Sequence, residues 1–143
     1  MNNAFSKINL LALGLLLITL PSLVSCKKDK HEPTLRENLV GDWEIKSFTV
    51  DGVEAKGSII TTSKMEFEAY TGTNGDFEWY IAYIDGSSET QVGDYEVDED
   101  DKEIELENAE GDRLKFDVDL DDDELELSGI IDGERYVLKA ERD

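Results

Sequence analysis

One thiol, one imidazole and 35 carboxylates are the side chains best suited to chemistry in this 143-residue sequence. The thiol is Cys26. It follows Leu23-Val24-Ser25, at the boundary between an apolar segment and a polar one. A thiol at such a boundary is a nucleophile that can take an alkyl group. The imidazole, His31, lies in the polar run Lys27-Lys28-Asp29-Lys30-His31-Glu32. It has no second imidazole to share a metal or a proton, so it reads as solvated. Among the carboxylates, Asp117, Asp119 and Asp121 alternate with apolar residues, and a hard cation takes several such oxygens. However, Asp122 stands where a calcium loop needs glycine, and Ser128 where it needs glutamate. Aspartates two apart on a strand cannot wrap one ion alone, so no metal-ligand set is assigned, and weak, diffuse cation binding is expected. Paired carboxylates also serve hydrolases. Here they are spread over solvated faces with no partner base. The reading is therefore no enzyme, no catalytic residue and no cofactor.

The elements around Cys26 explain its position. Residues 1–7 end in the base Lys7. Leu10 to Leu20 is an apolar run of 11 residues, too short for a membrane span of ~20. Pro21 and Ser22 break the helix before Leu23-Val24-Ser25-Cys26. That stretch resembles the lipobox of bacterial lipoproteins. The resemblance implies that residues 1–25 are a removed signal peptide, cut between Ser25 and Cys26. It also implies that Cys26 carries a thioether-linked diacylglycerol and an amide-linked acyl chain, so membrane lipid is a partner. Lys27 replaces the Asp that often marks inner-membrane retention, which favours the outer membrane. A cysteine followed by Lys and acids resembles lipoproteins of the Bacteroidota. The periplasmic and cell-surface sides both stay open. Residues 26–34 form a polar tether.

The rest is acidic. Formal net charge is −21, and residues 1–25 hold no acid. Such a chain repels phosphate backbones, so nucleic acid is excluded as a partner, and like charge favours a monomer. With one cysteine there is no internal disulfide; the fold relies on packing. Residues 35–143 suffice for one core.

Alternation of apolar and charged residues, the mark of a half-solvated strand, runs through that segment. A helical turn over residues 33–40 places Leu35 and Leu39 on one face. Then Trp43, Ile45 and Ser47 share a face of the first strand. Met65, Phe67 and Ala69 follow on one face of a strand region over residues 59–70. Phe77, Trp79, Ile81 and Tyr83 come next, then Val92, Tyr95 and Val97, with Gly93 marking a bend or bulge. Ile104 and Leu106, then Leu114 to Leu120, then Leu125 and Leu127, and last Tyr136, Leu138 and Ala140 complete eight strands. Short turns join them, among them Asp51-Gly52 and Asp132-Gly133, dipeptides favoured in hairpins. The fold class is all-β: a small eight-stranded antiparallel up-and-down barrel after a short helical turn. A two-sheet sandwich is the alternative.

A helical turn, then Gly41-Asp42-Trp43, then an eight-strand meander is similar to the lipocalins. The resemblance implies that Gly41 and Trp43 close the narrow end of the barrel against an arginine of the last strand, Arg135 or Arg142, with Arg135 taken as the partner. It further implies a calyx for a small apolar ligand. Met65, Phe67, Phe77, Trp79, Ile81, Leu106, Phe116 and Tyr136 would line it. In a barrel of short strands such bulk tends to fill the interior, so two functions stand. One is a lipid-anchored envelope lipoprotein holding a small hydrophobic ligand. The other is a filled barrel that acts by contact with an envelope protein.

Overall fold

A computed structural model of the chain describes residues 31–143. Ser25, Cys26, the signal segment 1–25 and most of the tether lie outside the described residues.

The barrel begins with a short helix, α1 (Leu35–Leu39). Thr34 caps it: the Glu37 backbone N–H donates to the Thr34 side chain, and the Glu37 carboxylate accepts the Thr34 N–H in return. Nine strands follow: β1 (Gly41–Val50), β2 (Val53–Glu54), β3 (Ile60–Phe67), β4 (Gly75–Tyr83), β5 (Ser88–Asp98), β6 (Glu103–Asn108), β7 (Arg113–Asp121), β8 (Glu124–Ile131) and β9 (Glu134–Arg142). From β3 to β9 each strand pairs antiparallel with its sequence neighbour, and β1 pairs with both β3 and β9. The β1–β9 seam runs from Trp43↔Arg142 to Val50↔Tyr136 and closes the sheet on itself. The barrel therefore has eight strands, as the alternation predicts. The two-residue β2 only extends the β1 edge, and no sandwich forms. Closure leaves no long unpaired edge.

Asp51-Gly52 and Asp132-Gly133 have positive φ at both positions, which gives a hairpin turn the twist its strands need. These turns lie at one end of the barrel, here called the hairpin end, with the β4–β5 and β6–β7 turns. Helix α1 and the β3–β4, β5–β6 and β7–β8 connections lie at the other, the α1 end.

Two local irregularities depart from simple alternation. The β1–β9 register slips between Ile45 and Ser47, so Lys46 is an inserted residue. Beyond it the faces exchange. Ser47 points outward opposite Lys139, while Phe48 joins the core opposite Leu138. The expectation that Ser47 shares the face of Trp43 and Ile45 is thus corrected. Strand β3 has a matching slip between Ile60 and Thr62, and it ends at Phe67, short of residue 70, so Ala69, expected on the apolar face, lies beyond the strand and is exposed.

Gly93 is not a bulge. It keeps register with Phe77 on one side and Asn108 on the other. Its lack of a side chain is needed because a Cβ there would sit 1.9 Å from the Glu107 carbonyl oxygen. The glycine lets β5 and β6 approach closely and curl the sheet.

Inward side chains from every long strand form one core, from Leu39 and Trp43 at the α1 end to Phe48 and Ile60 nearer the hairpin end. Ser63 is its one buried polar residue, and its Oγ accepts a 2.9 Å hydrogen bond from Trp79 Nε1–H. That pairing removes the penalty of an unsatisfied indole N–H.

Candidate functional site

The barrel offers three places where function could reside: its interior and its two ends.

The α1 end is built shut. Gly41 opens β1 with φ +134°, where a side chain is strained. A Cβ there would also meet Arg142 Nη1 at 2.7 Å. The space that glycine leaves is taken by the Arg142 guanidinium. It lies 4.3 Å from the Trp43 ring centroid, a cation–π distance. The same group donates to the Val40 and Asn38 carbonyls at 2.9 and 2.7 Å and to Asp123 at 3.2 Å. Trp43 Nε1–H donates to the Leu39 carbonyl at 2.8 Å. Carbonyls at the C-terminus of α1 that lack helical partners thus find donors on β1 and β9. At the other end of α1, the Glu99 carboxylate accepts the Leu35 and Arg36 N–H groups at 2.9 and 2.8 Å. Arg36 sits 4.5 Å over Tyr70, and Tyr70 packs edge-on against Tyr95. The Tyr95 hydroxyl donates to the Glu68 carbonyl at 2.7 Å, and burial pushes its pKa up to about 12.

The arginine of this closure is therefore Arg142 and not Arg135. Arg135 is the second residue of β9, at the hairpin end, about a strand length from Trp43. Its backbone is held by Asp51, which accepts the Arg135 N–H at 2.8 Å. Strand parity carries the correct signal. Arg142 falls in step with Tyr136, Leu138 and Ala140, which face inward, whereas Arg135 falls out of step.

The interior is occupied. Met65, Phe67, Phe77, Trp79, Ile81, Leu106 and Phe116 are each at most 4% exposed and belong to the core. They fill the space they were expected to line. Phe67 meets Tyr95 edge-on at 5.0 Å, and Phe48 packs 6.0 Å from Trp79. Tyr136 is only partly buried, toward the hairpin end, 6.1 Å from Phe48. Its hydroxyl donates to Glu134 at 3.2 Å. The interior does reach a cleft of about 140 Å³, bordered by Phe77, Gln91, Leu106, Asn108, Asp112 and Leu114. Gln91 and Asn108 were not singled out in the sequence, since amides near a turn give no pattern, and Leu114 was read only as an inward strand residue.

A larger cleft, about 460 Å³, is on the outside, where Lys46 and Lys139 face Asp119, Asp121, Glu124, Glu126 and Glu141. Lys139 pairs with Glu126 at 3.1 Å and Lys46 with Glu44 at 2.6 Å. It is an ion-paired groove on a solvated wall. Asp117, Asp119 and Asp121 stand in a row on β7, pointing outward opposite Ser128, Glu126 and Glu124. Among the described residues no three His, Cys, Asp or Glu side chains are placed to hold a metal ion. Also among them, no helix is long and apolar enough to cross a membrane.

The hairpin end is the less tied of the two. Tyr83 donates to Glu89 at 2.8 Å, and burial, helped by that carboxylate, pushes its pKa up to about 12. Asp85 accepts from the Ser87 N–H and hydroxyl, which holds its carboxyl below the usual range.

An antiparallel eight-stranded barrel, plugged at one end by a helical turn and an arginine over a tryptophan, defines a class of small β-barrel domains. The lipocalin-like domain family matches residues 39–127, and the chain belongs to that family. Among solved structures, it is similar to a de novo designed fluorescence-activating β-barrel. The two are 21% identical, with TM-score 0.57 over 78% of this chain and all of that one. A redesigned β-barrel is similar at 16% identity and TM-score 0.58, over 76% of this chain and 94% of its own. So is mFAP1, a redesigned β-barrel bound to DFHBI, at 16% identity and TM-score 0.54, over 77% of this chain and all of that one. These likenesses concern the fold. No curated protein matches the chain.

Proposed function

We propose that the protein is a lipid-anchored lipoprotein of the cell envelope whose barrel works by contact through its surface, with its interior filled by its own side chains. The filled interior carries this reading. A calyx for a fatty chain needs several hundred Å³ of space, and the residues that would line one pack on each other instead. The anchor is supported by the sequence around Cys26, and Lys27 supports the outer membrane, on its periplasmic or outer side. The acidic surface supports a monomeric partner-binding protein that avoids nucleic acid. The one histidine precedes the barrel, and the carboxylates stand on solvated walls, so the domain is proposed to be non-enzymatic.

Cys26→Ser tests the anchor: the variant should move from the membrane fraction to the soluble fraction, and unchanged partition would refute it. Native mass spectrometry of protein released from lipid tests the filled barrel, with the mass of the chain plus its covalent lipid, and no further bound molecule, expected. The cleft beside Gln91 and Leu114 supports a second reading, a ligand no larger than one aromatic ring. A stoichiometric small adduct in that spectrum would favour it.

A further inference from the structure

Large apolar side chains exposed to water are unevenly placed on this molecule. Val53 is 71% exposed, Ile59 58%, Ile84 64% and Ile130 65%, and all four belong to the hairpin end. Among the described residues the other two exposed ones, Tyr80 and Val92, lie on the outer wall of β4 and β5. The apolar residues of α1 are packed against the core. Ile59 and Ile84 are held side by side, since the Ile84 N–H donates to the Ile59 carbonyl at 2.9 Å. Val53 follows the Asp51-Gly52 turn in β2, paired with Val50.

The charges around these tips are also distinctive. Beside these tips stand four acids, Asp51, Asp85, Asp132 and Glu134, with Lys56 and Arg135, while the β6–β7 turn at the same end adds Glu110, Asp112 and Arg113. Three of the four acids accept hydrogen bonds from uncharged donors: Asp51 from the Arg135 backbone, Asp85 from Ser87, Glu134 from Tyr136. Such bonds orient a carboxylate without cancelling its charge. None of these four is in an ion pair. Most ion pairs of the described residues lie along the walls and at the α1 end, at Lys46, Lys64, Lys115, Lys139 and Arg142, and the one that reaches the hairpin end, Arg113 with Glu105 and Glu107, involves none of these four acids. Exposed isoleucines framed by uncancelled negative charge form a mixed surface with a clear complement.

Three occupants can be compared. A second copy carries the same charge of −21 and the same acidic rim, so it is repelled. An anionic leaflet is repelled too. The chain also enters the barrel through α1, at the opposite end, so the anchor proposed above would hold the hairpin end away from the lipid. This orientation argument rests on the anchoring reading. A segment carrying both apolar and Lys or Arg side chains satisfies both halves of the surface. We propose that the hairpin end is a docking face for a basic, amphipathic segment of a partner protein in the same envelope.

The test places a photoreactive phenylalanine analogue at Val53 or Ile84 of the full chain in its own cells, with Asp100 at the α1 end as control. Adducts are mapped by mass spectrometry to the crosslinked peptide. Expected are adducts from Val53 and Ile84, absent from Asp100, on a peptide rich in Lys or Arg and interspersed with Leu, Ile or Val. Ile59→Ser combined with Ile84→Ser should lower the Val53 adduct about tenfold or more, as loss of buried isoleucine contacts requires. Asp51→Asn with Asp132→Asn should lower it about threefold. All four residues are at the surface, so the melting temperature should stay near that of the wild type. Adducts with lipid, with another copy of this chain or with a peptide lacking net positive charge would overturn the proposal. So would equal yield at Asp100, or no adduct at all. If Cys26→Ser releases the protein and yet no basic adduct forms, the docking face fails and the anchor stands.

Discussion

The two ends of the barrel use the same materials to opposite effect. At the α1 end, one arginine satisfies two carbonyls, an aspartate and an indole face, and one glutamate caps the helix that plugs the opening. At the hairpin end, Arg135 enters no ion pair, carboxylates accept from neutral donors, and isoleucines face water. Arg135 and Arg142 sit on the same strand. One is structure and the other is surface, and only their positions along β9 decide which. Groups committed to each other cannot serve a partner; uncommitted ones can.

The largest contrast should appear on truncating the apolar side chains. Trp43→Ala removes a fully buried indole and its bond to Leu39, and should cost about 3–5 kcal/mol in chemical denaturation. Ile84→Ala should stay within about 0.5 kcal/mol. Equal losses would erase the distinction between the ends. Next in size, Arg142→Ala should cost about 2–3 kcal/mol, since it strips charged donors from the Asn38 and Val40 carbonyls. Arg135→Ala, read by the same unfolding curve, should be near neutral.

Alkaline titration probes the closed end through Tyr95. Its phenol holds a proton more tightly folded, up to about 12, than the usual value near 10. Its contribution is therefore whole below pH 10 and is lost as pH rises from 10 toward 12. The loss should be roughly 2–3 kcal/mol in stability measured across that window. Tyr95→Phe should flatten this part of the profile. The smallest loss expected at the α1 end is from Glu99→Gln, about 1 kcal/mol, because the amide still accepts one N–H of α1 but loses its charge. Thermal melts of the two proteins would show it.

Much of the architecture could be read from alternation alone. Strands from Met65 to Ala140 declare their inward faces, and the two Asp-Gly turns set their hairpins. Gly41 and Trp43 were legible as a closure. The choice of Arg142 was legible too, by its parity with Leu138 and Ala140, but the sequence reading took Arg135. What stayed hidden were the inserted residues. Lys46 exchanges the faces of β1 and brings Phe48 inside, and nothing in its type announces this. Gly93 left a bend and a bulge both open, because glycine in a strand often marks either. Only the distance to the Glu107 carbonyl shows that it serves close approach. Whether the aromatic residues line a space or fill it depends on how the register shifts pack Phe48, Trp79 and Tyr136 together. Periodicity carries no such information.

Both tryptophans of the chain, Trp43 and Trp79, lie inside the barrel, so any apolar guest must pass within energy-transfer range of them. Titration with a fluorescent fatty acid, exciting the indoles and reading the probe, therefore tests the filled interior directly. A full core predicts no saturable transfer at micromolar probe. Saturating transfer at one probe per chain, abolished by an unlabelled fatty acid, would contradict it.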